Sequence, residues 1–403
     1  MTLLNGKHIL LGVTGGIAVY KSVELLRILK KAGAQVDVAM TDAALRFVGK
    51  TTFEVLSENP VITDLWEDSH GSVAHIDVAA RCDAAVIAPA TANCIAKLAH
   101  GLADDALTTT FLAVTAPVMV CPAMNTHMYE NIRVQRNLDS LEQDGIHILD
   151  PDTGSLACKT TGPGRLPDPR LIADRIEHML TPKDFAGKQV LVSAGPTLEP
   201  IDPVRYVSNH SSGKMGYAIA RAAEMRGASV TLVTGPVSLD PPVGVEAIPV
   251  QTCHDMADTM LSKMDDAEII IQVAAVADFR PDRQESLKIK KQSDQDGMTL
   301  TLVQNPDILR SMGERKRPDQ FLVGFAAETH DLSANAVKKI KKKNLDMIAA
   351  NIVGGKDTGF QADTNEMTVF FKDGPQTDIP LMDKPAVAQK LLDIILARLE
   401  QRP

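Results

Sequence analysis

The stretch HILLGVTGGIAVYKSVELLRILKKAGAQVDVAM, residues 8–40, decides the fold. It opens on an apolar run, His8–Val13, and turns at Thr14-Gly15-Gly16. A helical segment follows in which Val23, Leu26 and Leu29 line one face, Gly33 stops it, and Gln35–Met40 is a second apolar run. Strand, glycine turn, helix, strand is a βαβ unit, whose crossover makes the two strands parallel. Further buried-strand runs, Ala84-Ala-Val-Ile-Ala88 and Val118-Met-Val-Cys121, extend this to a doubly wound α/β domain.

The pattern returns. Gly6-Lys7 ahead of a strand is echoed by Gly187-Lys188, and Gly33-Ala34 ahead of a strand reaching Thr41 is echoed by Gly227-Ala228 ahead of one reaching Thr234. Two Rossmann-like α/β domains are expected, the second with an inserted loop over residues 198–212. Residues 150–169, rich in Gly, Pro, Asp and Thr, predict a loop whose Gly154, Gly162 and Gly164 permit closure over a site. Residues 171–180 read as an amphipathic helix and 181–186 as a linker. The expected domains are therefore 1–185 and 186–403.

Composition narrows the class. The 403 residues are 44% hydrophobic and 23% charged, as in soluble globular proteins. A net charge of −9 argues against a general polyanion-binding surface, and 4% aromatics with Trp66 alone argue against a nucleic-acid stacking platform. No apolar run approaches the ~18 residues of a membrane span, and the N-terminus lacks the layout of a signal peptide. Cys82, Cys94, Cys121, Cys158 and Cys253 are odd in number and scattered, which predicts reduced thiols in a cytoplasmic enzyme.

Neither half carries GxGxxG, so a mononucleotide such as FMN fits better than NAD. The Gly15-Gly16 turn can hold a phosphate through its N–H groups or can be a tight turn only. Ala88-Pro-Ala-Thr-Ala-Asn93 follows a strand and opens a helix; Thr91 or Asn93 either caps it or meets a flavin's polar edge. Asn125, in Pro122-Ala-Met-Asn125, offers uncharged donors to a carboxylate that leaves as CO₂, or is another cap. His75 has a structural and a catalytic reading. Cys158 sits in a polar loop beside Lys159, unlike Cys121 within its apolar strand.

Taken with Ala157-Cys158 and Gly162-Pro-Gly-Arg165, these motifs resemble the flavoprotein family of phosphopantothenoylcysteine decarboxylases. The resemblance implies a flavodoxin-like three-layer sandwich, trimeric, with FMN at subunit contacts. It implies Gly15, Gly16, Ile17, Thr41, Thr91, Asn93 and Met124 as FMN-binding residues. It also implies His75 as a base at the oxidation step, Asn125 at the substrate carboxylate, and Cys158 as donor of the final proton. The implied chemistry is redox-neutral: the substrate thiol is oxidised toward a thioaldehyde, CO₂ leaves, and the enethiol is reduced again.

In the second half, Ser211-Ser-Gly-Lys214 fails as a P-loop because Met215 stands where Ser or Thr is required. What survives is a polar loop able to hold phosphate through N–H groups and Lys214. Ala274-Ala-Val-Ala-Asp278 is expected to close a strand with a carboxylate. Lys339 and Lys343, at i,i+4, form either a solvated face or a nucleotide-phosphate site. With Asn209–Gly216, Lys288-Ile-Lys-Lys291, Asn305-Pro-Asp-Ile308 and Gly324-Phe-Ala-Ala-Glu-Thr329, these runs resemble phosphopantothenate–cysteine ligase. The resemblance implies CTP with Mg²⁺ (its ligands unassigned) and an acyl-cytidylate held by Asn209. Ala274, Asp278, Lys288, Pro306, Asp307, Ile308, Phe325, Lys339 and Lys343 would contact the nucleotide, Lys288 stabilising charge on phosphate.

Both halves thus resemble a bifunctional family performing consecutive steps of coenzyme A biosynthesis. That implies 4′-phosphopantothenate, cysteine and CTP as substrates, no nucleic-acid or membrane partner, and a homo-oligomer of trimeric decarboxylase and dimeric ligase domains, up to a dodecamer. Two rivals stand beside it: a flavin-dependent decarboxylase of a peptide cysteine fused to an unrelated nucleotide-binding domain, and a non-enzymatic flavin- and nucleotide-binding regulatory module.

Overall fold

The computed structural model describes residues 3–66, 74–155, 161–290, 297–328, 332–352, 359 and 361–401. The chain divides into two compact units, Met1–Thr181 and Pro182–Pro403.

In the first unit the strands are β1 (His8–Val13), β2 (Gln35–Met40), β3 (Val61–Ile62), β4 (Ala84–Ala90), β5 (Val118–Pro122) and β6 (His147–Ile148). Among the described residues they form one parallel sheet, ordered β3-β2-β1-β4-β5-β6. Without the two-residue edge strand β3, the order by rank along the chain is 2-1-3-4-5, the flavodoxin-like arrangement. The strands read as continuous apolar runs because both sheet faces are covered. Ile9, Leu11, Val36, Val38 and Val86 enter one core layer, and Leu10, Ala39, Ala85, Ile87 and Val120 the other. The helix Val19–Lys31 buries Val19, Ser22, Leu25, Leu26 and Leu29. Val23, expected on that face, lies at its edge and is only half-buried. Ser22 is inside because its hydroxyl donates to Ala88 O (2.6 Å).

Residues 150–169 are not a plain loop. β7 (Asp152–Ser155) and β8 (Thr161–Arg165) pair as an antiparallel hairpin. Met124 N donates to Gly164 O (3.0 Å), and Gly164 has φ +141°, where a Cβ would collide with the Met124 carbonyl oxygen. The glycine serves close docking of the hairpin against the segment after β5.

The second unit contains β9 (Gln189–Ala194), β10 (Leu198–Pro200), β11 (Tyr206–Ser208), β12 (Ser229–Thr234), β13 (Glu246–Pro249), β14 (Ile269–Gln272), β15 (Phe279–Pro281), β16 (Leu302–Gln304), β17 (Phe321–Glu328), β18 (Met347–Ile352), β19 (Thr364–Phe371) and β20 (Thr377–Asp383). Its main sheet runs β13-β12-β9-β14-β17-β18-β19-β20, parallel as far as β18 and antiparallel beyond. The chain winds outward on both sides of β9, so the crevice where such sheets bind ligands opens at the ends of β9 and β14. The inserted segment folds back as the hairpin β10–β11, and a second hairpin pairs β15 with β16. β14 ends at Gln272, so Asp278 lies in the loop beyond it rather than closing the strand.

The segment read as a linker packs with the second unit. Phe185 is fully buried in that unit's core, and the Arg226 guanidinium stacks 4.7 Å from its ring centroid. Arg226 also pairs with Asp184 (2.5 Å) and Asp393 (2.8 Å). The division therefore falls four residues before the expected one.

Candidate active sites

At the carboxyl ends of β1, β4 and β5 the first unit opens a cavity of about 590 Å³, the size of a cofactor site. Gly15, Gly16 and Ile17 reach it from β1, Thr91 from β4, Met124 and Asn125 from β5, and Arg165 from β8. Thr14 locks two of these loops: its hydroxyl donates to Pro89 O (2.8 Å) and accepts from Thr91 N (2.9 Å). Thr91 caps the helix Ala92–Ala99 and also lines the cavity. Asn125 likewise caps Thr126–Tyr129, accepting from His127 N (2.9 Å). Apolar walls from Ile17, Ala18, Pro89, Met124 and Leu166 suit a planar ring system, and Arg165 adds a cation for a phosphate. The residues present fit a flavin mononucleotide.

Other expected residues lie elsewhere. Thr41 is not on the cavity lining; its buried hydroxyl has no hydrogen-bond partner among the described residues. Asn93 is exposed one position into its helix. His75, half-buried on the helix Ala74–Arg81, does not line this cavity. That helix is fastened by Arg81, which grips the buried Asp37 of β2 through Nε (3.0 Å) and Nη2 (2.5 Å). Cys158 lies outside the described residues. Burial pushes the Cys94 thiol up to about 12 and the Cys121 thiol higher still, so neither supplies a thiolate at neutral pH. Sequence reading missed Lys21, whose ammonium lines the cavity and donates to Leu166 O (2.6 Å). A lysine in a helix's first turn carries no signal that distinguishes it from a solvated one.

The second unit's cavity, about 320 Å³, lies at the switch point. Asn209, Ala274, Asp278, Phe325 and Lys339 line it, with Gly213–Gly216 at the start of the helix Lys214–Met225. The loop after β14 is held from three sides. Ser193 Oγ accepts from Val273 N (3.0 Å) and Ala274 N (3.1 Å), and Thr197 Oγ1 accepts from Ala277 N (3.1 Å). Asn209 Nδ2 donates to Ala275 O (2.7 Å), and Asn305 Nδ2 to Ala277 O (2.8 Å). Ser193, Thr197 and Asn305 thus shape the site, a task that the motif reading did not assign them.

The i,i+4 lysines part company. Lys339 lines the cavity, while Lys343 pairs with Asp307 (2.9 Å), which also caps the helix Ile308–Arg315. Pro306 and Asp307 do not line the cavity, and Ile308 is buried in the core. Lys288 is exposed and also outside the lining. Its neighbour Ile289 is anchored, its N–H donating to Asp202 (3.1 Å) and its carbonyl accepting from Arg205 (3.1 Å). The Arg205 guanidinium holds the Asp202 carboxyl well below the usual carboxylate range. Lys384, Asn351 and Asn365 line the cavity without having been expected there.

Residues 2–181 match the family model described as Flavoprotein, and residues 185–399 match the DNA/pantothenate metabolism flavoprotein C-terminal domain. The coenzyme A biosynthesis bifunctional protein CoaBC of Bacillus subtilis (strain 168) is 50% identical over 404 residues, 99% of each chain. The chain belongs to the coenzyme A biosynthesis bifunctional family. The Escherichia coli (strain K12) member is 44% identical over 402 residues, again 99% of each chain. A solved C-terminal domain of such a protein is 40% identical, with a TM-score of 0.47, covering 55% of this chain and 100% of that one. The two family matches leave residues 182–184 between them, where the two units divide.

Proposed function

We propose that the second unit joins cysteine to 4′-phosphopantothenate at the expense of CTP, and that the first decarboxylates the product to 4′-phosphopantetheine. The observation that carries this is the pairing, in one chain of the family, of two cavities lined by residues of the two sets of motifs.

In the ligase half, the pantothenate carboxylate attacks the α-phosphate of CTP and pyrophosphate leaves; cysteine's amine then displaces CMP from the acyl-cytidylate. Lys339 and Lys214 supply positive charge at the cavity and Asn209 holds the intermediate. Lys288, exposed outside the lining, would oppose charge on the α-phosphate only from a position nearer the nucleotide than the one it occupies. Mg²⁺ accompanies the triphosphate. Among the described residues no cluster of three or more His, Cys, Asp or Glu forms a metal site, and a metal held largely by phosphate oxygens needs none.

In the decarboxylase half, Gly15, Gly16, Ile17, Thr91, Met124 and Arg165 would hold FMN, which supplies the reversible two-electron oxidation of the substrate thiol. Asn125 binds the carboxylate without adding a charge that would retain it. Cys158 gives the last proton. His75, off the cavity of its own protomer, is supplied across a subunit contact. Exposed apolar side chains support assembly, Ile17 (67% exposed) and Tyr20 (60%) at the cavity of the first unit, Tyr206 and Phe279 in the second. Among the described residues no helix is long and apolar enough to cross a membrane, and the reading places the enzyme in the cytoplasm.

One incubation tests the whole. With 4′-phosphopantothenate, cysteine, CTP and Mg²⁺, the purified yellow protein should yield 4′-phosphopantetheine, CMP and pyrophosphate by mass spectrometry. Decarboxylation of a peptide cysteine with no ligation would favour the first rival.

A further inference from the structure

Lys384 begins the helix Lys384–Glu400 and lines the second unit's cavity, yet the residue is only 4% exposed. Its ammonium donates to Gly359 O at 3.2 Å, and among the described residues no carboxylate lies within salt-bridge distance of it. The carboxylate in the neighbourhood, Asp363, is engaged by Lys214 at 2.6 Å. The surroundings on balance oppose a charge at this point. Burial, and after it repulsion from Lys214, lowers the Lys384 pKa, with Asp363 offsetting only part. A cation at a helix's first position also works against the helix dipole. Buried lysines are ordinarily paired, and an uncompensated one is destabilising. A local rule broken this way, without a structural gain, marks a functional position.

The neighbouring helix start has a complementary need. The helix Lys214–Met225 starts at Gly213 (φ +76°), which provides no side-chain cap, and Gly213–Gly216 line the same cavity. We propose that Lys384 is a phosphate-binding residue of this cavity, acting on the anion together with the neighbouring Lys214 and the open helix start. A phosphate between the two lysines replaces their repulsion by two charge-assisted contacts and supplies the acceptors that Lys384 lacks. The inference rests on the ligase reading of the cavity and adds a residue to it. The phosphate is either the nucleotide's triphosphate or the 4′-phosphate of the pantothenate substrate.

The test uses the full-length protein and the variants Lys384→Met and Lys384→Arg, titrated calorimetrically with inorganic tripolyphosphate, CTP, 4′-phosphopantothenate and unphosphorylated pantothenate. Lys384→Met should weaken tripolyphosphate and one of the two phosphorylated substrates by roughly 10- to 100-fold. Which substrate is affected identifies the source of the phosphate. Pantothenate binding should not change, and Lys384→Arg should keep part of the affinity. Thermal unfolding without ligand should be unchanged or higher in Lys384→Met, because a buried charge has been removed. Decarboxylation of supplied phosphopantothenoylcysteine by the first unit should continue as before. Equal affinity of wild type and Lys384→Met for all three phosphate ligands overturns the proposal, as does a wild type that binds none of them. A wild type that binds tripolyphosphate through Lys384 but not CTP overturns the CTP reading and leaves the lysine's assignment standing. Should Lys384→Met fail to fold by circular dichroism, Lys384→Gln is put through the same titrations.

Discussion

At the scale of single residues, the proposed ligase site depends on donors and charges that a change of one atom type would alter. Asn209 donates its amide to Ala275 O at 2.7 Å and so orders the loop that carries Ala274 and Asp278. An aspartate there, ionised at neutral pH, cannot donate and sets a charge against that carbonyl oxygen. Asn209→Asp should lower kcat/KM for ligation by roughly 10- to 100-fold, the cost of one hydrogen bond turned repulsive. Single-turnover assays with labelled phosphopantothenate, first without and then with cysteine, should place most of the loss in the second step; wild-type rates would remove Asn209 from the site. Lys288 makes the opposite case. It is exposed, so Lys288→Gln leaves folding intact. If Lys288 opposes charge on the α-phosphate, acyl-cytidylate formation should fall by about 10²–10³. A normal first step in that variant would take the lysine out of the mechanism. The flavin spectrum should be unchanged in both.

At the scale of elements, a glycine and a carboxylate set how segments approach one another. Gly216 lets the helix Lys214–Met225 lie against β9: a Cβ there would stand 2.5 Å from Ala194 Cβ and 2.9 Å from Ser193 O. Gly216→Ala should cost about 1–3 kcal/mol by overpacking, visible as a lower midpoint in urea together with weaker nucleotide binding. In sequence this glycine reads as part of a phosphate loop, whereas in space it also sets helix–strand packing. Asp202 joins the β10–β11 turn to the segment bearing Lys288, accepting from Arg205, Val204 N and Ile289 N. Its folded pKa is depressed below an unfolded value of about 3.9. The stabilisation is therefore complete above that value and is lost only as pH falls through the folded pKa. Asp202→Asn should thus lower stability by the same amount at pH values of about 5, 6.5 and 8. A difference that grows across that window, measured by denaturant titration, would contradict the assignment.

At the scale of the whole molecule, the two units should separate at Thr181/Pro182. A fragment of residues 1–181 should fold and, on the reading above, keep its flavin and decarboxylate supplied phosphopantothenoylcysteine without CTP. A well-folded fragment devoid of flavin would sink the FMN assignment to this unit. A fragment of residues 182–403 should be more stable than one of residues 187–403. The shorter one loses Phe185 from the core and Asp184 from Arg226, and large buried aromatics are worth about 3–5 kcal/mol. Equal thermal midpoints would return residues 182–186 to the role of linker. The sequence by itself determined the two α/β units, their repeat and the glycine turns that line the cavities. Apolar runs covered on both faces, helix periodicity and glycine turns are local properties, and right-handed crossovers leave few topologies open. It did not determine which motif residues converge. Lys339 and Lys343 share a helix face, yet one meets the cavity and the other Asp307. Lys384 meets Lys214 across 170 residues of chain, and Phe185 joins the core that follows it. Those outcomes turn on burial and on charge pairing between distant segments, which exist only once the chain has packed.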